Sequence, residues 1–269
     1  SRPYNDADPN LMPEFLPDNV FVYAGGAHAR RHLLDYRPNY KAKELLYCVD
    51  DISAEVTQAN LPPSIPQIGK DKIIFCSIGV IDPRKGQDIL GQAIGELSPD
   101  LLKRCYFIFI GQNFDPELFD PMPKILADFP DNVCYVSEIP YSQLSQLYSN
   151  IDCLICSSRD DPMPIVLTQA LQFGKKVICT ENAGTAVLLE KHQAGIVYKN
   201  DDSSKLAQAI AQVVEELDKG VDYSESAKEL YKAYFTEDIF RENIDKILKH
   251  TSSAVVDNSL PVPENAIVS

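Results

Sequence analysis

Four short runs in this chain are apolar at nearly every position: 73–78 (IIFCSI), 106–110 (YFIFI), 153–156 (CLIC) and 176–179 (KVIC). A strand with one wet face alternates apolar and polar residues, so strands apolar on both faces must be covered on both. The stretches between them carry apolar residues at helical spacing, most clearly in 203–217, which opens on the cap-like DDSSK. Buried strands alternating with amphipathic helices imply crossover connections and an open parallel sheet. The expected fold class is therefore α/β, a Rossmann-like doubly wound parallel sheet followed by C-terminal helices. In such sheets a ligand sits outside the carboxyl ends of the strands, so the segments that follow strands are the ones to search.

The pattern predicts strands at 20–24, 45–49, 72–78, 106–110, 133–136, 153–156, 176–179 and 195–198. Helices are expected over 28–35, 86–97, 141–148, 165–173, 203–217, 224–234 and 237–250. Residues 60–70, containing LPPSIPQIGK, read as a linker. The expected organisation is thus 1–70 as the end of a preceding domain plus linker, 71–250 as the main domain, and 251–269 as a mobile tail. The chain starts with Ser1, which suggests a start inside a longer chain or processing. Its polar first ten residues do not read as a signal peptide, and no apolar run is long enough to span a membrane.

Composition narrows the function classes. Hydrophobic residues make up 45% of the chain, sufficient for a proper core, and the formal net charge is −14. Nucleic-acid binders present a basic face, so that class is disfavoured. The seven cysteines lie in or beside strand-like runs, which suits buried thiols in a reducing compartment. Cys153 and Cys156 form a C-x-x-C, but along a strand that spacing puts the two thiols on opposite faces, which argues against a metal or redox pair. His28 and His32 are one helical turn apart, with no H-E-x-x-H pattern and no acidic third ligand nearby. The G-x-x-x-x-G-K-[ST], G-x-S-x-G and G-x-G-x-x-G patterns are absent as well.

Three strand-to-helix segments could carry chemistry. In SIGVIDPRKGQDIL a strand ends at Gly79, a turn brings Arg84 and Lys85, and a helix follows. Glycine permits close backbone approach, and cations beside a helix start favour phosphate; a solvated turn is the equal alternative. In SSRDDPMPIVLTQALQFGK a buried strand leads through Asp161 and two prolines into a helix. Its leading N–H groups suit a diphosphate, with Asp161 open to a second reading as a simple N-cap. Gln169 lies eight residues on, about two helical turns away, so both side chains can face one cleft. The NAGT turn at 182–185 offers either another wall of that pocket or an ordinary connection.

In order and content these segments resemble the C-terminal domain of family 4 (group 1) glycosyltransferases of the retaining GT-B type. The resemblance runs from the Gly79 turn ending in Lys85–Gly86, through FIFIG and NVCYVSEIPYSQLSQLYSNID, to LICSSRDDPMPIVLTQALQFGKKVICT and AGIVY, and covers roughly 72–250. It implies one half of a GT-B enzyme, with a site for a nucleoside-diphosphate sugar linked to UDP or GDP. Lys85 falls on the family's diphosphate-binding lysine. Val80 stands where the family has arginine, and Arg84 is placed to supply that charge. The family's E-x7-E pair falls on Asp161, near the donor sugar, and Gln169, near the ribose. Met163, Pro164, Ile165 and Val166 match the backbone stretch against the diphosphate and sugar, and Ile139 the region around the base. Asp161, Lys85 and Arg84 are accordingly the expected catalytic residues. Gly79, Arg84, Lys85, Ile139, Met163, Pro164, Ile165, Val166 and Gln169 are the expected donor contacts.

The implied reaction is transfer of a sugar, with retention, to a glycan or glycoconjugate acceptor. It needs no metal or other cofactor, because cations and helix N–H groups would stabilise the leaving diphosphate. Residues 20–51 resemble the last unit of an N-terminal acceptor domain, so the expected partner is that domain, in the same or another chain. The expected setting is the cytoplasm or the inner face of the membrane, in polysaccharide biosynthesis. Two other readings are a non-catalytic nucleotide-sugar-binding or assembly subunit, and a nucleotide-sugar epimerase.

Overall fold

The computed structural model describes residues 20, 22–53 and 60–256. Six strands form one all-parallel sheet: β3 (Ile73–Ile78), β4 (Cys105–Ile110), β5 (Val133–Val136), β6 (Cys153–Cys156), β7 (Lys176–Thr180) and β8 (Ile196–Tyr198). Their spatial order is β5-β4-β3-β6-β7-β8. This is the doubly wound arrangement the two-sided strands predicted. The chain leaves β3 toward one edge and β6 toward the other, which opens a crevice between the two central strands at their carboxyl ends.

Each strand feeds two cores, since successive side chains point to opposite faces. Cys76, Ile108, Cys134, Leu154, Cys156, Val177 and Cys179 face α5 (Leu144–Asn150), α6 (Ile165–Gln172) and α9 (Ser224–Tyr234). Phe75, Phe107, Phe109, Cys153, Ile155 and Ile178 face α2 (Gln87–Gly95), α4 (Met122–Asp128) and α8 (Ser203–Asp218). The rings of Phe75 and Phe107 stack with centroids 5.2 Å apart. Burying each is worth roughly 2–3 kcal/mol. Cys153 and Cys156 fall in different cores, as their spacing along a strand requires, and all seven cysteines are free.

Before this sheet lies a small βαβ unit. β1 (Val22–Ala24) and β2 (Ala42–Glu44) pair in parallel around α1 (Ala27–Tyr36), in a sheet of their own. The second strand is at Ala42–Glu44, not at the more apolar 45–49. Those residues instead leave the sheet and bury against the C-terminal helices: Val49 N donates to Phe235 O at 2.9 Å, and Tyr231 Oη donates to Val49 O at 2.8 Å. Residues 60–70 have no regular structure, yet they are a strap and not a free linker. Ile65 is buried, Leu61 and Ile68 pack on the core, and Gln146 Nε2 donates to Asn60 O at 2.7 Å.

Two short helices, α3 (Pro99–Leu102) and α4, were not legible in the periodicity, while α7 (Ala186–Lys191) follows the NAGT turn. Asp202 caps α8 by accepting from Lys205 N at 2.9 Å. α10 (Glu237–Val256) continues past the point where the sequence periodicity fades, and residues 257–269 lie outside the described residues. No helix among the described residues is long and apolar enough to cross a membrane.

Candidate functional site

The connections leaving β3 and β6 meet at the crevice. After Ile78 the chain turns at Gly79, whose φ of +156° lies in the region that favours glycine. The Lys85 stem passes over it, with Cδ and Cε 3.7 Å from where a Cβ would stand. Asp82 then accepts from Arg84 N at 2.8 Å and starts a tight 3-10 turn, Pro83–Lys85. Gly86 ends that turn with φ +66° and begins α2; a Cβ there would stand 2.1 Å from Ser157 O. The turn after β3 and the loop after β6 are thus in backbone contact.

Lys85 Nζ donates to Asp161 Oδ2 at 2.7 Å, across 76 positions of sequence. Both side chains are mostly sheltered, 23% and 10% exposed. Asp161 is therefore not the cap of α6. That position belongs to Pro164, which offers no side-chain hydrogen bond. Leu167 N and Thr168 N both donate to Pro164 O, at 3.1 and 3.3 Å. The N–H groups of Ile165 and Val166 come before this first helical bond and are the orphan donors of the first turn. Ile165 is 51% exposed.

The other expected contacts sit deeper. Met163 is buried, and its sulfur accepts from Tyr47 N at 3.1 Å, so the side chain is a structural plug and only its backbone faces the loop. Gln169 is also buried, with Oε1 3.0 Å from the hydroxyl of Tyr148. The same hydroxyl lies 3.2 Å from Val166 O, tying Gln169 to the first turn of α6. Ile139 follows β5 and packs, half-buried, against the same core as Met163. The structure thus joins Gly79, Lys85 and Asp161 directly, places Arg84 in the same 3-10 turn as Lys85, sets Met163 and Pro164 just before α6 with Ile165, Val166 and Gln169 on it, and leaves Ile139 on the neighbouring loop.

Several residues at this site carry no sequence signal. Arg159 holds Asp88 with both arms of its guanidinium, at 2.9 and 2.8 Å, and Asp201 through Nε at 2.6 Å. The Asp88 bonds hold its pKa above the ordinary arginine value. Gln87 is buried and donates to Val80 O at 2.8 Å, bracing the turn at the position where the resemblance expects arginine. From the βαβ unit, Gly26 meets the loop backbone to backbone. A Cβ on Gly26 would stand 2.6 Å from Pro162 O, and one on Gly184 1.7 Å from the same atom. His28 follows, buried, with Nε2 3.4 Å from Asp160 Oδ1. Burial, and next the neighbouring His32, hold its pKa below the ordinary histidine value. No group of three or more His, Cys, Asp or Glu side chains among the described residues is arranged to hold a metal ion.

A groove of about 640 Å³ lies on the far side of Gly184, lined by Tyr23, Lys43, Leu46, Val187, Tyr234 and Lys246 among others. It is a gap between the βαβ unit and the C-terminal helices, and neither Lys85 nor Asp161 reaches it.

The family model for glycosyl transferases group 1 matches residues 63–230, which include the whole crevice and both loops. The chain belongs to the group 1 glycosyl transferase family. Among curated relatives of this family member, a glycosyltransferase of Methanocaldococcus jannaschii is 23% identical over 168 residues, 62% of this chain and 42% of the relative. A glycogen synthase of Thermodesulfovibrio yellowstonii is 24% identical over 164 residues, 61% of this chain and 32% of the relative. The chain thus spans less than half the length of the curated relatives it matches. Among solved structures, a glycosyltransferase from Rickettsia africae superposes with a TM-score of 0.72 at 18% identity, covering 87% of this chain and 64% of that one. An Anabaena protein solved with UDP and glucose gives 0.70 at 17% identity, covering 86% and 63%. At these identities the structures speak to the fold, a GT-B half, which the six-stranded parallel sheet matches.

Proposed function

We propose that this chain binds the nucleoside-diphosphate sugar of a retaining glycosyltransferase. The observation that carries the reading is the Lys85–Asp161 pair, 2.7 Å apart at the switch point of a group 1 glycosyl transferase fold. A diphosphate reaching this crevice meets the turn that carries Arg84 and Lys85, with the Lys85 ammonium at its mouth, and the first-turn N–H groups of α6. Both stabilise charge that grows on the leaving diphosphate as the sugar bond breaks. Lys85 has an anionic partner before the donor arrives, so binding exchanges the carboxylate of Asp161 for phosphate oxygens. Asp161 is then free to face the donor sugar, where a carboxylate stabilises positive charge developing at the anomeric carbon. Gln169, pinned by Tyr148, is about one turn into α6 and faces the ribose. No metal is required, because the residues named supply the positive charge.

The other substrate, a glycan or glycoconjugate hydroxyl, approaches from an N-terminal acceptor domain, of which the βαβ unit against Pro162 and Gly184 is the adjoining part. That UDP and glucose occupy the Anabaena structure supports a UDP-linked donor, with GDP as the alternative. Asp161→Asn tests the reading. It removes the competitor for Lys85 while keeping shape, so free UDP or GDP should bind as tightly as before or tighter. Transfer from the sugar-linked donor by the protein joined to its acceptor domain should fall on the order of a hundredfold, the scale of losing one electrostatic stabiliser. Unchanged transfer would remove Asp161 from the chemistry.

A further inference from the structure

We propose that Arg159 is the positioning residue for Lys85, holding the basic turn at the angle that presents the lysine to phosphate. This rests on the reading above, that Lys85 receives the donor diphosphate.

Three successive carbonyls of the turn are each taken by the loop after β6. Arg159 Nη1 donates to Pro83 O, Arg159 N to Arg84 O at 2.7 Å, and Ser157 Oγ to Lys85 O at 3.0 Å. A turn held at three consecutive peptide units cannot rotate about the strand end, so the lysine stem that leaves it has a fixed origin. The guanidinium reaches beyond the turn to the first helical turn of α2 through Asp88, and to the β8–α8 connection through Asp201. Asn182, in the connection after β7, donates to Arg159 O at 2.9 Å. One residue therefore ties together the connections that follow β3, β6, β7 and β8.

Two features separate this from a surface ion pair. The Arg159 and Asp88 side chains are only 28% and 27% exposed, and the contact is a planar two-armed fork that lysine cannot copy. In addition, Asp201 adopts φ +57°, a conformation uncommon for a residue with a side chain. Its carboxylate is held there by Arg159 Nε, so the arginine also braces the β8–α8 connection at its left-handed residue. Lys85 Nζ itself makes no contact with Arg159; the arginine acts through the backbone that carries the lysine.

The test is calorimetric and NMR titration of the whole chain with UDP, GDP, uridine and guanosine. It compares the wild type with Arg159→Ala, Arg159→Lys, Lys85→Ala and the Arg159→Ala/Lys85→Ala double variant. Arg159→Ala should weaken the diphosphate at least tenfold and leave the matching nucleoside unchanged, because only the phosphate contact depends on the turn. Arg159→Lys should recover a minor part of the loss, and in the Lys85→Ala background Arg159→Ala should cost nothing more. A general folding defect would weaken nucleoside and diphosphate alike, and that pattern overturns the assignment, as does an effect that simply adds to Lys85→Ala. If Arg159→Ala does not fold, Asp88→Asn loosens the same fork and must give the same phosphate-selective loss in milder form. A wild-type chain that binds neither UDP nor GDP refutes the donor-site reading and this assignment with it. A wild type that binds, beside an Arg159→Ala variant that binds equally well, refutes the assignment alone.

Discussion

Gly86→Ala isolates the contact that joins the two loops of the site. Gly86 has φ +66°, and a Cβ there would stand 2.1 Å from Ser157 O and 3.1 Å from its carbonyl carbon. Two costs follow. The left-handed backbone disfavours alanine by about 1 kcal/mol, and forcing a methyl group into a packed backbone contact adds roughly 2 kcal/mol. Alanine also stiffens the unfolded chain, which returns about 0.5 kcal/mol. Gly220 is the internal control, because its φ is +69° and nothing lies within 4 Å of its would-be Cβ. Gly220→Ala carries the backbone cost and the same return but not the clash. In thermal unfolding followed by circular dichroism, Gly86→Ala should fall below Gly220→Ala by about 2 kcal/mol, or roughly 4–8 °C in Tm for a chain of this size. Equal shifts for the two variants would refute the close approach of the β3 and β6 loops on which the site is built.

Three further outcomes are expected. In the native protein only Cys48 should react quickly with a thiol reagent, since the other six cysteines are buried; burial pushes Cys105 and Cys134 each up to about 11, and all seven should react once the chain is denatured. Neutral, buried His28 binds fewer protons than it does in the unfolded chain, so its contribution to stability is complete above the ordinary histidine value of 6.5 and is lost as pH falls from there toward its depressed value. His28→Gln should flatten the Tm-against-pH curve in that window, and an unchanged slope would place the titrating group elsewhere. Gln169→Glu restores the acid of the family's pattern beside a tyrosine hydroxyl able to donate to it; it should tighten nucleotide but not inorganic diphosphate, and equal tightening of both would remove Gln169 from the ribose.

The six strands of the main sheet were legible because burial on both faces leaves an apolar signature that does not depend on distant sequence. β2 was not legible. Ala42–Glu44 pairs as a strand with Ala42 as its one buried side chain, while the apolar residues just beyond it are buried by helices nearly two hundred positions away. At the site, Lys85 and Asp161 stood out because a cation or acid between a strand end and a helix has a local meaning. Arg159 did not, since an arginine beside two aspartates reads as a solvated charge. Its role appears only when folding brings Asp88, 71 positions away, and Asp201, 42 positions away, onto one guanidinium. Met163 shows the opposite effect: its place in the motif is legible, but the burial of its sulfur under Tyr47 N depends on a segment 116 positions earlier.

The proposed donor site at Lys85 is tested most directly by titrating the chain with UDP and GDP in parallel with Lys85→Ala. The account predicts that one of the two diphosphates binds the wild type and binds the variant at least tenfold more weakly, a difference of about 1.4 kcal/mol. Equal affinity in the wild type and Lys85→Ala would contradict it.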